Sequence, residues 1–502
     1  MTASTGQAHS EPRTYGNWRR PRSAGLGKLG LVGTITVFVG AVVAIVSMLI
    51  GGLLAGMAVA LGVVLVAALV SAPDRNGITP GQHLLARVGW IRRVKRGSHL
   101  YRSGPLGRTP WGTHQLPGLA ARSRLFEVTD GYGRPVAVIH LPTTNHYAVV
   151  IACHPDGDGL VDSEQVDQWV AGYGDYLAML ATEDVVAAQV TVQTGPSSGA
   201  SLRREQEINT DPAAHPMARQ VLAEIAATYP SSSPLFQVWI TLTFKGATAG
   251  GKRRGTTAML DHLRTRIPNL LSPLAAAGAG ASAPVSAQQL CEVIRTAYDP
   301  AVAEVIDDCH AKGADVELDW SDVGPAAHDT VWDSYRHDSA LSVTYGMSAP
   351  PRGVVYSAVL SDLLAVHPTI ARKRVSLLYR PLAPAVAAAI VDADQSAARF
   401  RMASAERPTE RQKADLAAAT SASKEEALGA GLVNFGLLVT ATVSEPAALS
   451  DARAAVAGLG ASSRIALRPV YGAQDSAFAA NLPLGLVTED HLAVPAVIRK
   501  MA

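Results

Sequence analysis

Cysteine is scarce and unpaired in this chain. Cys153, Cys291 and Cys309 are the three among 502 residues, and no CxxC occurs. That spacing excludes a disulfide framework and a thiolate zinc site, and it fits a reduced compartment. Net charge is scarce too. Lys and Arg number 44 against 42 Asp and Glu, a balance of +2, so the chain as a whole has no field to attract a polyanion. His310 and His337 lack partners at HExxH spacing and no GxSxG elbow occurs, so neither zinc hydrolysis nor a nucleophile elbow has a motif.

The most informative absence is local. From Leu29 to Ala72 there is no Asp, Glu, Lys or Arg in 44 residues. A bilayer core about 30 Å thick needs roughly 20 helical residues, so the tract suffices for two crossings. It far exceeds the ~7–15 apolar residues of a cleaved signal peptide. Gly51 and Gly52 fall near its middle, where a turn between antiparallel helices belongs. Arg19, Arg20, Arg22 and Lys28 precede it, and Arg92, Arg93, Lys95 and Arg96 follow it. Basic flanks stay on the cytoplasmic side, so the pattern predicts a two-helix transmembrane hairpin with both termini in the cytoplasm. The second flank, with Trp90 and Tyr101 interleaved, predicts contact with anionic lipid head groups; DNA contact stays open but is not predicted.

The resulting plan is a basic cytoplasmic tail (1–28), the hairpin (29–72), a basic juxtamembrane connector (73–122), a first cytoplasmic α/β subdomain (123–338), a second (339–490) and a C-terminal tail (491–502). In the first subdomain, alternating or continuous apolar runs predict strands over Leu125–Val128, Pro135–Leu141, His146–Cys153, Val185–Gln193 and Leu235–Phe244. Helices are predicted over Ser163–Thr182 and Pro216–Tyr229, with Thr194–Asn209 a surface loop. In the second, Leu341–Met347 and Gly353–Leu364 carry apolar patterns. Strands follow over Arg374–Tyr379, Val433–Val443 and Ser463–Pro469, with helices over Pro384–Ala403, Lys413–Ala430 and Glu445–Leu459. Such an order suits a mixed α/β (α+β) body with ferredoxin-like subdomains. A strand followed by a helix, Phe236–Phe244 with Thr256–Leu274, is echoed by Val433–Val443 with Ala447–Leu459.

One stretch approaches a nucleotide motif. Gly246-Ala-Thr-Ala-Gly-Gly251-Lys252 lies between a strand and a helix, as a phosphate-binding loop does. Such a loop closes on Ser or Thr to hold magnesium, and here that position is Arg253. Gly246, Gly251 and Lys252 are therefore weak cofactor-binding candidates, and no cofactor, metal or catalytic constellation is predicted.

The segment Tyr15-Gly-Asn-Trp-Arg-Arg-Pro-Arg22, directly before a paired apolar tract, resembles the PrgI-like integral membrane proteins of actinobacterial conjugative (type IV) secretion systems. The body resembles the amino-terminal domain of the conjugative secretion ATPase. The likeness rests on the strand Val375-Ser-Leu-Leu-Tyr-Arg-Pro381, the run from Gly431 through Leu459, and the ending Arg468 to Gly485. In that family a segment like Ala477-Phe-Ala-Ala-Asn-Leu-Pro-Leu-Gly485 stands just before the nucleotide-binding domain.

No motor sequence follows here. The resemblance therefore implies a non-enzymatic inner-membrane docking subunit of a secretion or conjugative DNA-transfer machine, with ATP hydrolysis supplied by a separate motor ATPase. Other channel membrane subunits and further copies of the chain are its implied partners, and Leu482, Pro483, Leu484 and Gly485 the implied ATPase-docking residues. Two alternatives stand beside it: a membrane subunit of a type VII secretion system, and a membrane-bound nucleotide-dependent enzyme using the degenerate loop.

Overall fold

The computed structural model describes Tyr15, Gly16, Trp18, 31–71 and 80–492, apart from Leu106, Arg108, Asp158, Leu160, 197–203, Glu205, Glu207, Pro212, 229–233, Ala249, Asp315 and Arg352. The terminal tails expected over 1–28 and 491–502 therefore lie almost wholly outside the described residues.

The apolar tract is helical throughout as α1 (Leu31–Ser71), apart from one break. Within it one stretch, Val37–Ala67, is long and apolar enough to cross a membrane. Its helix is interrupted at Gly52, whose φ of 79° and ψ of −178° suit glycine alone. A Cβ placed on Gly40 would stand 2.2 Å from Val63 Cγ1, and one on Gly56 would stand 2.7 Å from Met48 Cβ. A basic helix, α2 (Pro80–Lys95), comes next.

The body is built on one antiparallel sheet. Strand β1 (Leu100–Arg102) leads into β2 (Arg124–Thr129), β3 (Pro135–Leu141) and β4 (His146–His154). Helix α3 (Ser163–Thr182), β5 (Val185–Pro196), α4 (Pro216–Thr228), β6 (Pro234–Lys245), α5 (Thr256–Leu271) and β7 (Ala281–Pro284) follow. Then come α6 (Ala287–Tyr298), α7 (Val302–Ala311), β8 (Ala327–Thr330), β9 (Tyr335–His337), β10 (Ala340–Ala349) and the single turn α8 (Ser361–Leu364). The chain continues with β11 (Arg372–Pro381), α9 (Pro384–Ala403), α10 (Glu410–Ala427), β12 (Val433–Val443), α11 (Leu449–Ser462), β13 (Ala466–Pro469) and α12 (Gln474–Ala480).

Two stretches trace the same path. In the first, β2 and β3 form a hairpin ahead of β4, and the strands run β7-β4-β6-β5; in the second, β8 and β9 precede β10, and the order is β13-β10-β12-β11. A helical arm joins the third and fourth strands of each set, α4 in one and α9 with α10 in the other. A helix closes each set, α6 after β7 and α12 after β13. The two sets meet edge to edge where β5 pairs antiparallel with β11, Val190 opposite Leu377.

This arrangement corrects two expectations. The halves are not separate sandwiches, because a single sheet runs through both. The boundary at 338/339 falls inside the β9–β10 hairpin, where Ala340 pairs with His337; the topological break lies between α7 and β8. The stretch from 275 to 338, to which the sequence reading assigned no element, carries β7, α6, α7, β8 and β9. Only α6 had a strong local signal: Ser286 caps it by accepting from the Gln289 amide while Gln289 Oε1 accepts from the Ser286 amide.

Side-chain alternation divides the sheet's two faces. Tyr147, Val149, Ile240, Leu242 and Phe244 pack under α3 and α5, and Val343, Val375, Val439 and Ala441 pack under α8 and α11. The other face carries Ala148, Val150 and Trp239 beneath α6 and α12. Toward its centre that face is polar, with Gln189, Thr191, Thr241, Thr243, Thr344, Ser376 and Thr440, all buried. Buried hydroxyls and amides need partners, and the chain after α12 supplies them to Gln189, Thr243, Ser376 and Thr440.

Candidate membrane-proximal interface

Helix α2 presents Arg87, Trp90 and Arg93 at i, i+3 and i+6, one face of a helix, to the body. Arg93 binds Asp475 with both guanidinium nitrogens, Nη1 reaching Oδ1 at 2.8 Å. Trp90 meets Trp332 edge-on with ring centroids 6.0 Å apart, and Trp332 stacks on Tyr471 at 5.7 Å. The Arg87 guanidinium lies 4.7 Å from the centre of the Trp332 ring, a cation–π contact. Asp475, Tyr471 and Trp332 all come from the second half of the chain, so this cluster fastens the helix nearest the apolar tract to the far end of the fold.

The four expected lipid-facing cations therefore separate. Arg93 is spent on Asp475, whereas Arg92, Lys95 and Arg96 are exposed. Sequence reasoning missed Trp332 and Asp475 because each contacts α2 across more than 230 positions, and Tyr471 because it joins the cluster by stacking on Trp332. The aromatic interleaving at Trp90 was the one local signal.

The N-terminal flank is tied to the same body. Tyr15 and Val355 exchange two backbone hydrogen bonds, each 2.7 Å, and the Tyr15 hydroxyl donates to Asp167 Oδ1 at 2.6 Å. Asp167 sits on α3.

The segment from Ala477 to Gly485 is not a surface. Phe478, Asn481, Leu482 and Leu484 are fully buried, and Pro483 and Gly485 are buried with them. It runs as a strap over the polar sheet face. Asn481 Nδ2 donates to the Arg374 carbonyl at 3.0 Å and to Thr440 Oγ1 at 2.7 Å, while Gln189 Nε2 donates to the Leu482 carbonyl and Thr243 Oγ1 to that of Gly485, each at 3.1 Å. The strap crosses from β12 over β11 and β5 to β6. Leu482, Pro483, Leu484 and Gly485, the implied ATPase-docking residues, thus serve the core and are buried rather than exposed.

The Gly246–Lys252 loop is a small hairpin. The amides of Gly246, Ala247, Thr248 and Gly251 donate to carbonyls of Asn145, Lys245, Lys252 and Thr248, all at 2.8 Å. A phosphate cradle needs such amides free and convergent. Lys252 is exposed beyond them. No group of three His, Cys, Asp or Glu among the described residues is placed to hold a metal ion.

Residues 22–82 match the family described as Domain of unknown function (DUF8461). The match spans the apolar tract and the first residues of α2, and its description carries no activity. No curated protein matches the chain.

Proposed function

We propose that this protein is a membrane-anchored, non-enzymatic structural subunit whose body lies on the cytoplasmic face. The observation that carries this is the shared anchorage of the two flanks: Tyr15, ahead of the apolar tract, and α2, behind it, both bind the same body. A chain returns to the side it left only after an even number of crossings. The break at Gly52 and the approach of Val63 to Gly40 support a reversal there, since 23 residues of continuous helix would separate that pair by about 34 Å. Each arm then has roughly 20 residues, about one bilayer core. The strand orders β7-β4-β6-β5 and β13-β10-β12-β11 support a ferredoxin-like reading of each set.

Membership of a secretion or conjugative transfer machine rests on the resemblance of Tyr15–Arg22 and of the body. A separate motor ATPase, other channel subunits and further copies of the chain are the partners this reading requires. The hairpin-locked amides around Gly246 and Gly251 speak against nucleotide-dependent catalysis there.

Two measurements test the reading. With the native cysteines replaced, a cysteine at Leu54 should react with an impermeant maleimide in intact cells, and one at Ser10 only after lysis. Labelling of Ser10 from outside would sink the two-span topology. Detergent extraction of the full-length protein from its native membranes should co-purify a motor ATPase; recovery alone would remove the secretion assignment.

A further inference from the structure

Helix α2 has a second face. Turned away from Trp90 are Leu84, Leu85 and Ile91, which are 55%, 73% and 47% exposed, with the exposed cations Arg92, Lys95 and Arg96 beside them. The helix contains no acidic residue. Apolar and basic side chains are interspersed on this face, a combination that suits the boundary between lipid head groups and acyl chains.

We infer that α2 lies in the membrane surface, with Leu84, Leu85 and Ile91 at the head-group boundary and Arg92, Lys95 and Arg96 on anionic lipid phosphates, while Arg87, Trp90 and Arg93 hold the body. The inference rests on the reading of α1 as the membrane anchor. Continuity with α1 selects the bilayer over a soluble partner. Helix α2 packs against α1, and the chain from Ser71 to Pro80 spans at most about 30 Å when extended. Charge selects the lipid: cations near an anionic surface are attracted, by roughly fivefold in the docked-to-undocked ratio for each Lys or Arg. The structure thereby divides the basic segment into a lipid-facing set and a body-facing set, which the sequence alone ran together.

The test uses full-length protein in nanodiscs of phosphatidylcholine alone or with 30% phosphatidylglycerol. Spin labels are placed at Leu85, at Ala86 on the body side, and at Val42 in the apolar tract, in a chain without native cysteines. In the anionic discs the Leu85 label should be accessible to oxygen and shielded from a water-soluble nickel chelate. The triple substitution Arg92→Gln, Lys95→Gln, Arg96→Gln should lower the docked-to-undocked ratio on the order of 100-fold, leaving the Ala86 signal unchanged. Hydrogen exchange of the otherwise unaltered protein provides a check free of cysteine replacement: amides over 84–96 should be better protected in the anionic discs. A Leu85 label exposed to water in both lipids, or shielded only when DNA or a protein partner is added, would overturn the inference. The Val42 label separates the two readings, because its exposure to water would mean that α1 is not the anchor.

Discussion

Asp475 is 9% exposed at its side chain and Arg93 21%, so their pairing is screened less than a surface ion pair. Asp475→Ala should cost about 1–3 kcal/mol in thermal unfolding, the usual range for charge-assisted hydrogen bonds. A double-mutant cycle with Arg93→Ala should return most of that as coupling energy. Arg374 is a different case. It is 5% exposed and, among the described residues, its guanidinium is hydrogen-bonded only to Gln193 Oε1, at 2.7 and 3.1 Å, with Phe478 beneath it; burial pulls its pKa down to about 9. A buried cation with one neutral acceptor adds little stability, yet removing that acceptor leaves the charge stranded. Arg374→Met should therefore change stability by less than about 1 kcal/mol or raise it, whereas Gln193→Ala should cost about 2–3 kcal/mol. Chemical denaturation of the two variants checks this.

His328 and His337 report on pH. Burial lowers both to about 4, below the ordinary 6.5 of a free imidazole. The unfolded chain therefore takes up protons at higher pH than the folded one. The stability tied to these neutral rings is complete above pH 6.5 and is lost as pH falls toward 4, by about 3 kcal/mol for each ring at most. Unfolding free energies measured across pH 7 to 4 should fall, and substitution of either residue by Gln should flatten the decline.

At the scale of elements, the strap after α12 is the least expected feature. Gly485 has φ +67°, and a Cβ there would stand 2.3 Å from Ala148 Cβ. Gly485→Ala combines backbone strain with a clash in a close-packed layer and should destabilise by more than about 2 kcal/mol. Leu482→Ala opens a cavity and should cost about 2–5 kcal/mol. Both losses belong to the isolated protein. If the segment instead acts as a docking end, the variants unfold normally and lose only partner binding, a result that thermal melts would expose. Other elements were plain in the sequence. The expected Pro135–Leu141, Ser163–Thr182, Pro384–Ala403 and Val433–Val443 match β3, α3, α9 and β12 residue for residue, because each is an apolar-patterned run with a turn residue or proline at or just before its start. Strands β8 and β9 were not legible. They have four and three residues, contain His, Asp and Arg, and owe their pairing to β1 and β10 rather than to propensity.

Seen whole, the molecule is a tandem of two similarly wound sets joined at the β5–β11 seam and sealed by the strap. The echo of strand and helix in the sequence marked two of the equivalent pairs, β6 with α5 and β12 with α11. The repeat became visible only in the strand order, since the two sets differ in their helical arms, α4 in one and α9 with α10 in the other. A protease site inserted after the exposed Gly313 should cut between them. The fragments should then co-elute until denatured, because seam and strap bury long pairings across the cut. Fragments that separate under native conditions would mean that the sheet is not continuous.

The sequence by itself determined where the helix long and apolar enough to cross a membrane lies, because 44 residues without charge stand out from every other stretch of the chain, and it determined most strands and helices through their periods and apolar runs. Only the tertiary structure decided what covers the polar sheet face. Alternation such as Val439-Thr-Ala-Thr-Val443 reads as a strand half in water. A strap some forty residues further on, contributing Asn481 and backbone carbonyls, turns that face into core. It also decided which cations of α2 are free, because the partner of Arg93 lies 382 positions away and no local pattern encodes a contact at that distance.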